Sequence, residues 1–146
     1  MRNTARGKFK LKNPEKYQGM GEPTYRSSWE FTFMTFCDNN PAVLHWASES
    51  VKIPYRDPLT GKNTVYVPDF LIVYVDKNQK KHAELIEIKP KNQAVLERVG
   101  KNPENQAAYI RNMAKWEVAQ AWCKKYGVKF RVVSEDDIFH NPGKRR

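Results

Sequence analysis

Two short runs in this 146-residue chain carry groups that a protein interior ordinarily rejects. Val67-Pro68-Asp69-Phe70 sets a carboxylate into an apolar stretch, and Glu87-Ile88-Lys89 sets a second carboxylate and an amine into another. Desolvating a lone charge is costly, so charges that persist in such settings hold a metal or act on a substrate. A pair of carboxylates can bind one or two divalent cations, and a neighbouring lysine can neutralise charge that develops during a reaction. That combination suits phosphodiester hydrolysis, in which a water must lose a proton, an anionic phosphate must be approached and a leaving oxygen must be stabilised. Mg²⁺ is the expected ion, with Mn²⁺ able to stand in. It prefers hard oxygen donors and keeps several waters, so two or three protein oxygens suffice.

Asp69 and Glu87 are the expected ligands, and the backbone carbonyl of Ile88 lies between them as a third. Lys89 falls on the same face of its strand as Glu87 by alternation. It is expected near the attacked phosphate, where it can orient or activate the water. Glu30 is a fourth candidate. It stands one position from an apolar helical stripe and could reach the sheet edge to bind a second ion or a metal-bound water. A capping box with Ser27 accounts for Glu30 equally well. Each piece also has a plainer reading, since Pro-Asp pairs are common in turns and Glu-x-Lys often marks a solvated strand face. The combination is more specific than its parts.

The elements that must position these residues are readable from periodicity. Ser27-Ser28-Trp29-Glu30 opens a helix whose Trp29, Phe33 and Phe36 share a face, with Cys37 beside them, and Asn39-Asn40-Pro41 closes it. Residues 43–53 read as extended chain, and 57–62 as a turn. Residues 64–75 read as one strong central strand, with Val65, Val67, Asp69, Leu71, Val73 and Val75 on one face. Residues 76–80 make a polar hairpin loop. Residues 83–89 form the next strand, which Pro90 ends, and residues 91–101 are a loop or short helix. Asn102-Pro103-Glu104 starts a helix with a buried stripe of Tyr109, Met113, Trp116, Ala119 and Cys123, closed by Gly127. Residues 128–133 are a last strand, and 136–139 a short helical turn. The order implies a mixed α/β or α+β fold with helices on the faces of a sheet. Residues 1–24 are basic and aperiodic and read as an N-terminal arm. Residues 25–140 form the domain, and 141–146 a basic tail.

The net charge of +10, from 26 Lys and Arg against 16 Asp and Glu, favours a polyanionic partner, with double-stranded DNA foremost. Arg26, Lys52, Arg56, Lys91, Arg98, Lys101 and Arg111 could line a cationic track to the carboxylates. Phosphate contacts of that kind give affinity without sequence preference. The two cysteines, Cys37 and Cys123, read as small core residues. No zinc-type Cys or His spacing occurs, and His45, His82 and His140 read as structural. Gly19 and Gly21 lack the strand and helix context of a nucleotide-binding loop, so no nucleotide cofactor is expected. No long apolar run marks a membrane span, and the basic start lacks a secretory segment. The expected place of action is the cytoplasm or an assembly made there.

Pro68-Asp69 and Glu87-Ile88-Lys89 resemble the signature of the PD-(D/E)XK nuclease superfamily, and Glu30 matches the acidic residue that many members carry on their first core helix. That resemblance implies an αβββαβ restriction-endonuclease-like core and Mg²⁺-dependent DNA cleavage. Over residues 8 to 139 the chain further resembles the head completion nucleases of T-even-like tailed phages. The runs carrying this likeness are Tyr25-Arg26-Ser27-Ser28-Trp29-Glu30, Phe36-Cys37-Asp38, Trp46-Ala47-Ser48-Glu49, Ile53-Pro54-Tyr55, Pro68-Asp69-Phe70, Ile86-Glu87-Ile88-Lys89-Pro90 and Lys115-Trp116-Glu117. It implies a nuclease that processes or protects the packaged DNA end before tail attachment. The implied partners are DNA and portal or neck proteins. The implied location is the host cytoplasm during assembly, or the head or neck of the virion. The N-terminal half of the transposon endonuclease TnsA has the same Glu, Asp and Lys logic but Gln in place of Glu87, and ranks lower. The competing reading is a non-catalytic assembly factor that binds the DNA end and the neck.

Overall fold

The computed structural model describes residues 6–91, 99–135 and 137. Ser27 opens the first helix, α1 (Ser28–Asn39), by accepting the Glu30 amide on its hydroxyl at 3.1 Å. Asn102 opens the second, α2 (Pro103–Tyr126), by accepting the Glu104 and Asn105 amides. Gly127 closes α2 at φ 72°, a left-handed turn that glycine enters without a Cβ penalty.

The strands are β1 (Gly7–Lys8), β2 (Thr24–Tyr25), β3 (Val43–Ser48), β4 (Ile53–Arg56), β5 (Asn63–Tyr66), β6 (Phe70–Val75), β7 (Lys81–Ile88) and β8 (Lys129–Val133). The main sheet has the order β3-β6-β7-β8. Its first three strands are antiparallel, whereas β8 runs parallel to β7 and is reached through α2. A parallel neighbour requires such a long crossover. This is the mixed α/β arrangement that the sequence implies, with a central mixed sheet consistent with a restriction-endonuclease-like core.

Alternation along β7 divides the core in two. Ile86 and Ile88 join Phe33, Met34, Cys37, Trp46 and Phe70 on the α1 side. Leu85 joins Tyr66, Trp116, Ala119 and Cys123 on the α2 side. Cys37 and Cys123 are both buried and free, as small core residues should be.

The extended run from 64 to 75 is not one strand. β5 leaves the main sheet and pairs with β4, Ile53 opposite Tyr66, while β6 begins only at Phe70. The break falls on Val67-Pro68-Asp69. Pro68 has no N–H to give a ladder and is fully buried where the chain changes sheets. Asp69 therefore does not interrupt a valine face but occupies the gap before β6, and Val65 is 51% exposed. A smaller correction concerns α2. Its buried stripe runs Asn112, Trp116, Ala119, Cys123, and Met113 faces outward, because the helix phase set by Trp116 turns it off the sheet.

The segment read as an N-terminal arm packs on the domain from Gly7 onward. β1 pairs with β2, and Phe9, 5% exposed, enters the α1-side core against Trp46. Asp38, 1% exposed, accepts the Lys12 and Asn13 amides at 2.8 and 3.1 Å. Replacing Asp38 by Ala strands both amides. It should lower the unfolding free energy by roughly 2 kcal/mol or more in urea titrations, and quicken proteolysis between residues 6 and 24. A loss under about 0.5 kcal/mol would mean that the segment is not held by this carboxylate. The helical turn expected over 136–139 and the tail over 141–146 lie outside the described residues, save Asp137.

Candidate active site

The registers Ser48 to Phe70 and Phe70 to Ile86 bring the end of β3, the start of β6 and the end of β7 to one end of the sheet. Glu49 follows β3 there, Asp69 precedes β6 and Glu87 is the second-last residue of β7. Asp69 is fixed twice: its carbonyl accepts the Glu49 amide at 2.9 Å, and its Oδ2 accepts the Ile88 amide at 2.7 Å. Lys89 instead donates its amide to the Val133 carbonyl at 3.0 Å, on the β8 side. In extended chain the N–H and C=O of one residue project to the same edge. The Ile88 carbonyl therefore faces the Asp69 edge, where the sequence places the third oxygen.

Glu87 is 4% exposed. The Tyr66 hydroxyl donates to its Oε1 at 2.8 Å, and Lys89 Nζ stands 3.6 Å from its Oε2. Burial first, then the charge of Glu87, push the Asp69 carboxyl well above the usual range, while the Ile88 amide opposes them. Burial also raises Glu87, against the charge of Lys89 and the Tyr66 bond. Lys115 on α2 faces Glu87 as well. Its pKa is lowered by burial and then by Lys89.

Glu30 sits at the first turn of α1, where its Oε1 accepts the Arg26 amide at 2.9 Å. A capping box would return to Ser27, so the cap is shifted back by one residue. The Glu30 carboxylate faces Arg26, Glu49 and Lys89, and burial raises its pKa. Its charge also acts on Asp69. Capping and proximity to the site thus coexist.

The donors suit a hard divalent cation. Oδ1 of Asp69 accepts no hydrogen bond among the described residues, Oε2 of Glu87 meets only Lys89, and the Ile88 carbonyl projects to the same edge. Glu87 is buried and Asp69 half-buried, and the charge of Glu87 raises the Asp69 pKa, so a cation bound at Asp69 would relieve that repulsion. No three His, Cys, Asp or Glu side chains converge as a closed cage among the described residues. Mg²⁺ does not need one, since it commonly takes one or two carboxylates with waters and substrate oxygens.

Residues 40–135 match a protein family described as TnsA-like endonuclease N terminal. The head completion nuclease of Enterobacteria phage T4 is 35% identical over 142 residues, covering 90% of this chain and 92% of that protein. The chain belongs to the head completion nuclease family, with a TnsA-like endonuclease domain.

In this member of the head completion nuclease family, Asp69, Glu87 and Lys89 all fall within the TnsA-like match, while Glu30 precedes it. The basic residues expected on a DNA track are dispersed. Arg26 pairs with Glu49 at 2.6 Å beside Glu30, and Arg111 pairs with Asp57 at 2.9 Å. Lys52 and Arg56 are exposed on the β4 side, Lys101 is exposed just before α2, and the Lys91 amide bonds Glu135 at 3.0 Å. Arg98 lies outside the described residues. Three residues near the site escaped the sequence reading: Glu49, Tyr66 and Lys115. Glu49 and Lys115 lie in runs that carry the family likeness. The left-handed backbone of Glu49, φ 53°, had no sequence signal, since no glycine marks it. Tyr66 looked like one more apolar strand residue.

Proposed function

We propose that this protein is a Mg²⁺-dependent DNA endonuclease that acts in phage head completion, processing or protecting the packaged DNA end before the tail attaches. Membership of the head completion nuclease family supports a nuclease role in that process. One observation carries the chemistry: the Asp69 and Glu87 carboxylates meet at one end of the sheet, fixed by the Ile88 amide and the Tyr66 hydroxyl, with Lys89 beside them.

Asp69, Glu87 and the Ile88 carbonyl would hold the ion, and Glu30 would hold a second ion or a metal-bound water. When bound, Mg²⁺ lowers the pKa of water and offsets charge on the phosphate. Tyr66 keeps the Glu87 carboxylate in one rotamer. Lys89 Nζ offers a donor to the attacked phosphate and balances charge as the water loses its proton. The net charge of +10 favours a duplex DNA substrate, and the neck or portal would present its end. The site of action is the assembling particle in the host cytoplasm, or the completed head or neck.

The test is cleavage of linear and branched duplex DNA by purified protein with Mg²⁺ or with EDTA. Cleavage only with Mg²⁺ supports the proposal. Head binding with no cleavage of any substrate would favour the assembly-factor reading.

A further expectation concerns stability and pH. Asp69 and Glu87 have folded pKa values above their unfolded ones of about 3.8 and 4.5. Their contribution is fully present below those unfolded values and is lost as pH rises through the raised folded ones. Metal-free protein should therefore lose stability from these groups on going from acid to neutral pH. Mg²⁺ or Mn²⁺ should restore it, raising Tm at pH 7 but hardly at pH 4. An equal metal-induced shift at both pH values would place the ion elsewhere.

A further inference from the structure

Lys115 is none of the residues that would hold the ion or assist the water, yet it faces the same end of the molecule. The neighbouring Trp116 is 8% exposed and anchors α2 to the sheet, which leaves Lys115 half-buried beside it. Its Nζ lies 5.6 Å from the centroid of the Tyr66 ring, and the hydroxyl of that same ring holds Glu87. The charged groups facing it are Lys89, Glu87, Arg111 and Asp57. Arg111 is already neutralised by Asp57 at 2.9 Å, and Lys89 stands 3.6 Å from Glu87. Lys115 forms no ion pair or hydrogen bond among the described residues. An ammonium has three donors, and this half-buried one bears a desolvation cost that the Tyr66 ring and the charge of Glu87 offset only in part until an anion arrives. The aromatic face beneath it restrains the stem and so reduces the ordering cost of that encounter.

We propose that Lys115 binds a DNA phosphate next to the one that is cleaved, as a second cation on the α2 side of Glu87. Lysine serves this role as a point charge. The inference rests on the nuclease reading for its substrate, but it concerns binding of the duplex rather than the bond-breaking step. Lys115 should therefore act on KM more than on kcat.

The test uses Lys115→Met, which keeps the stem over Tyr66, and Lys115→Arg, which keeps the charge. Lys129→Met is the control, removing an exposed lysine at the opposite end of β8 from Val133. With Mg²⁺ and a linear duplex, Lys115→Met should raise KM roughly tenfold with kcat little changed. Lys115→Arg and Lys129→Met should stay near the parent. In an Asp69→Asn background, which removes one repelling carboxylate, duplexes carrying single methylphosphonate linkages are then scanned by binding. One linkage should weaken binding to the Lys115 protein and have no effect on the Lys115→Met protein. An unchanged KM, or no linkage whose effect depends on Lys115, would overturn the inference. If the parent protein cleaves nothing, the functional reading fails, and the methylphosphonate scan still decides whether Lys115 holds a phosphate. Circular dichroism shows whether Lys115→Met folds; if it does not, Lys115→Gln takes its place.

Discussion

Asp69→Asn should reduce strand cleavage on the order of a thousandfold or more, and should make the metal-free protein more stable than the parent. The first effect follows from loss of a charged oxygen donor where the ion is expected. The second follows from the same burial and repulsion that raise the Asp69 pKa. An amide cannot ionise, so it removes one of two like charges, and its oxygen can still accept the Ile88 amide now bonded at 2.7 Å. Single-turnover cleavage and urea titration in EDTA measure the two effects. Such a trade of stability for activity is common at sites built on strained electrostatics. Undiminished cleavage by a folded Asp69→Asn protein would remove Asp69 from the site.

Lys89→Met should also cost activity, by roughly a hundredfold or more, but with the opposite sign in stability. Lys89 lies 3.6 Å from Glu87 Oε2 and is the largest influence holding that carboxylate down against burial. Without it, a residue only 4% exposed keeps its charge with less compensation. The expected loss is about 1 to 3 kcal/mol, less than for a fully buried pair because Lys89 retains some contact with water. The opposite stability shifts of Asp69→Asn and Lys89→Met, at equal direction in activity, distinguish a charged site from generic damage to the fold. If both variants were destabilised alike, the carboxylate pair would be a packing feature and not a poised ligand set.

Much of this site was legible in the residues themselves. Alternation placed Leu85, Glu87 and Lys89 on one side of their strand, and the polar hairpin loop made β6 and β7 neighbours, which brings Asp69 beside Glu87. The caps of both helices and the glycine after α2 were equally plain, because they depend on a few adjacent residues. The sequence did not reveal that β5 and β6 belong to different sheets. Both halves of the run are β-branched and aromatic, and a proline is compatible with a strand start as well as with a break. The packed N-terminal segment was hidden for a related reason: scattered contacts anchor it, among them Phe9 and Tyr17 against Trp46 and the Lys12 and Asn13 amides on Asp38, and these produce no periodicity.

The order of amino acids alone placed Asp69, Glu87 and Lys89 on neighbouring strands, since strand alternation and turn chemistry are local and survive without knowledge of distant contacts. Only the tertiary structure decided that Tyr66 orients Glu87, that Glu49 braces the Asp69 backbone and that Lys115 faces the site from α2. Those partners lie far apart along the chain. Their meeting depends on how the β4–β5 hairpin and the long crossover helix pack on the sheet, which no local pattern encodes.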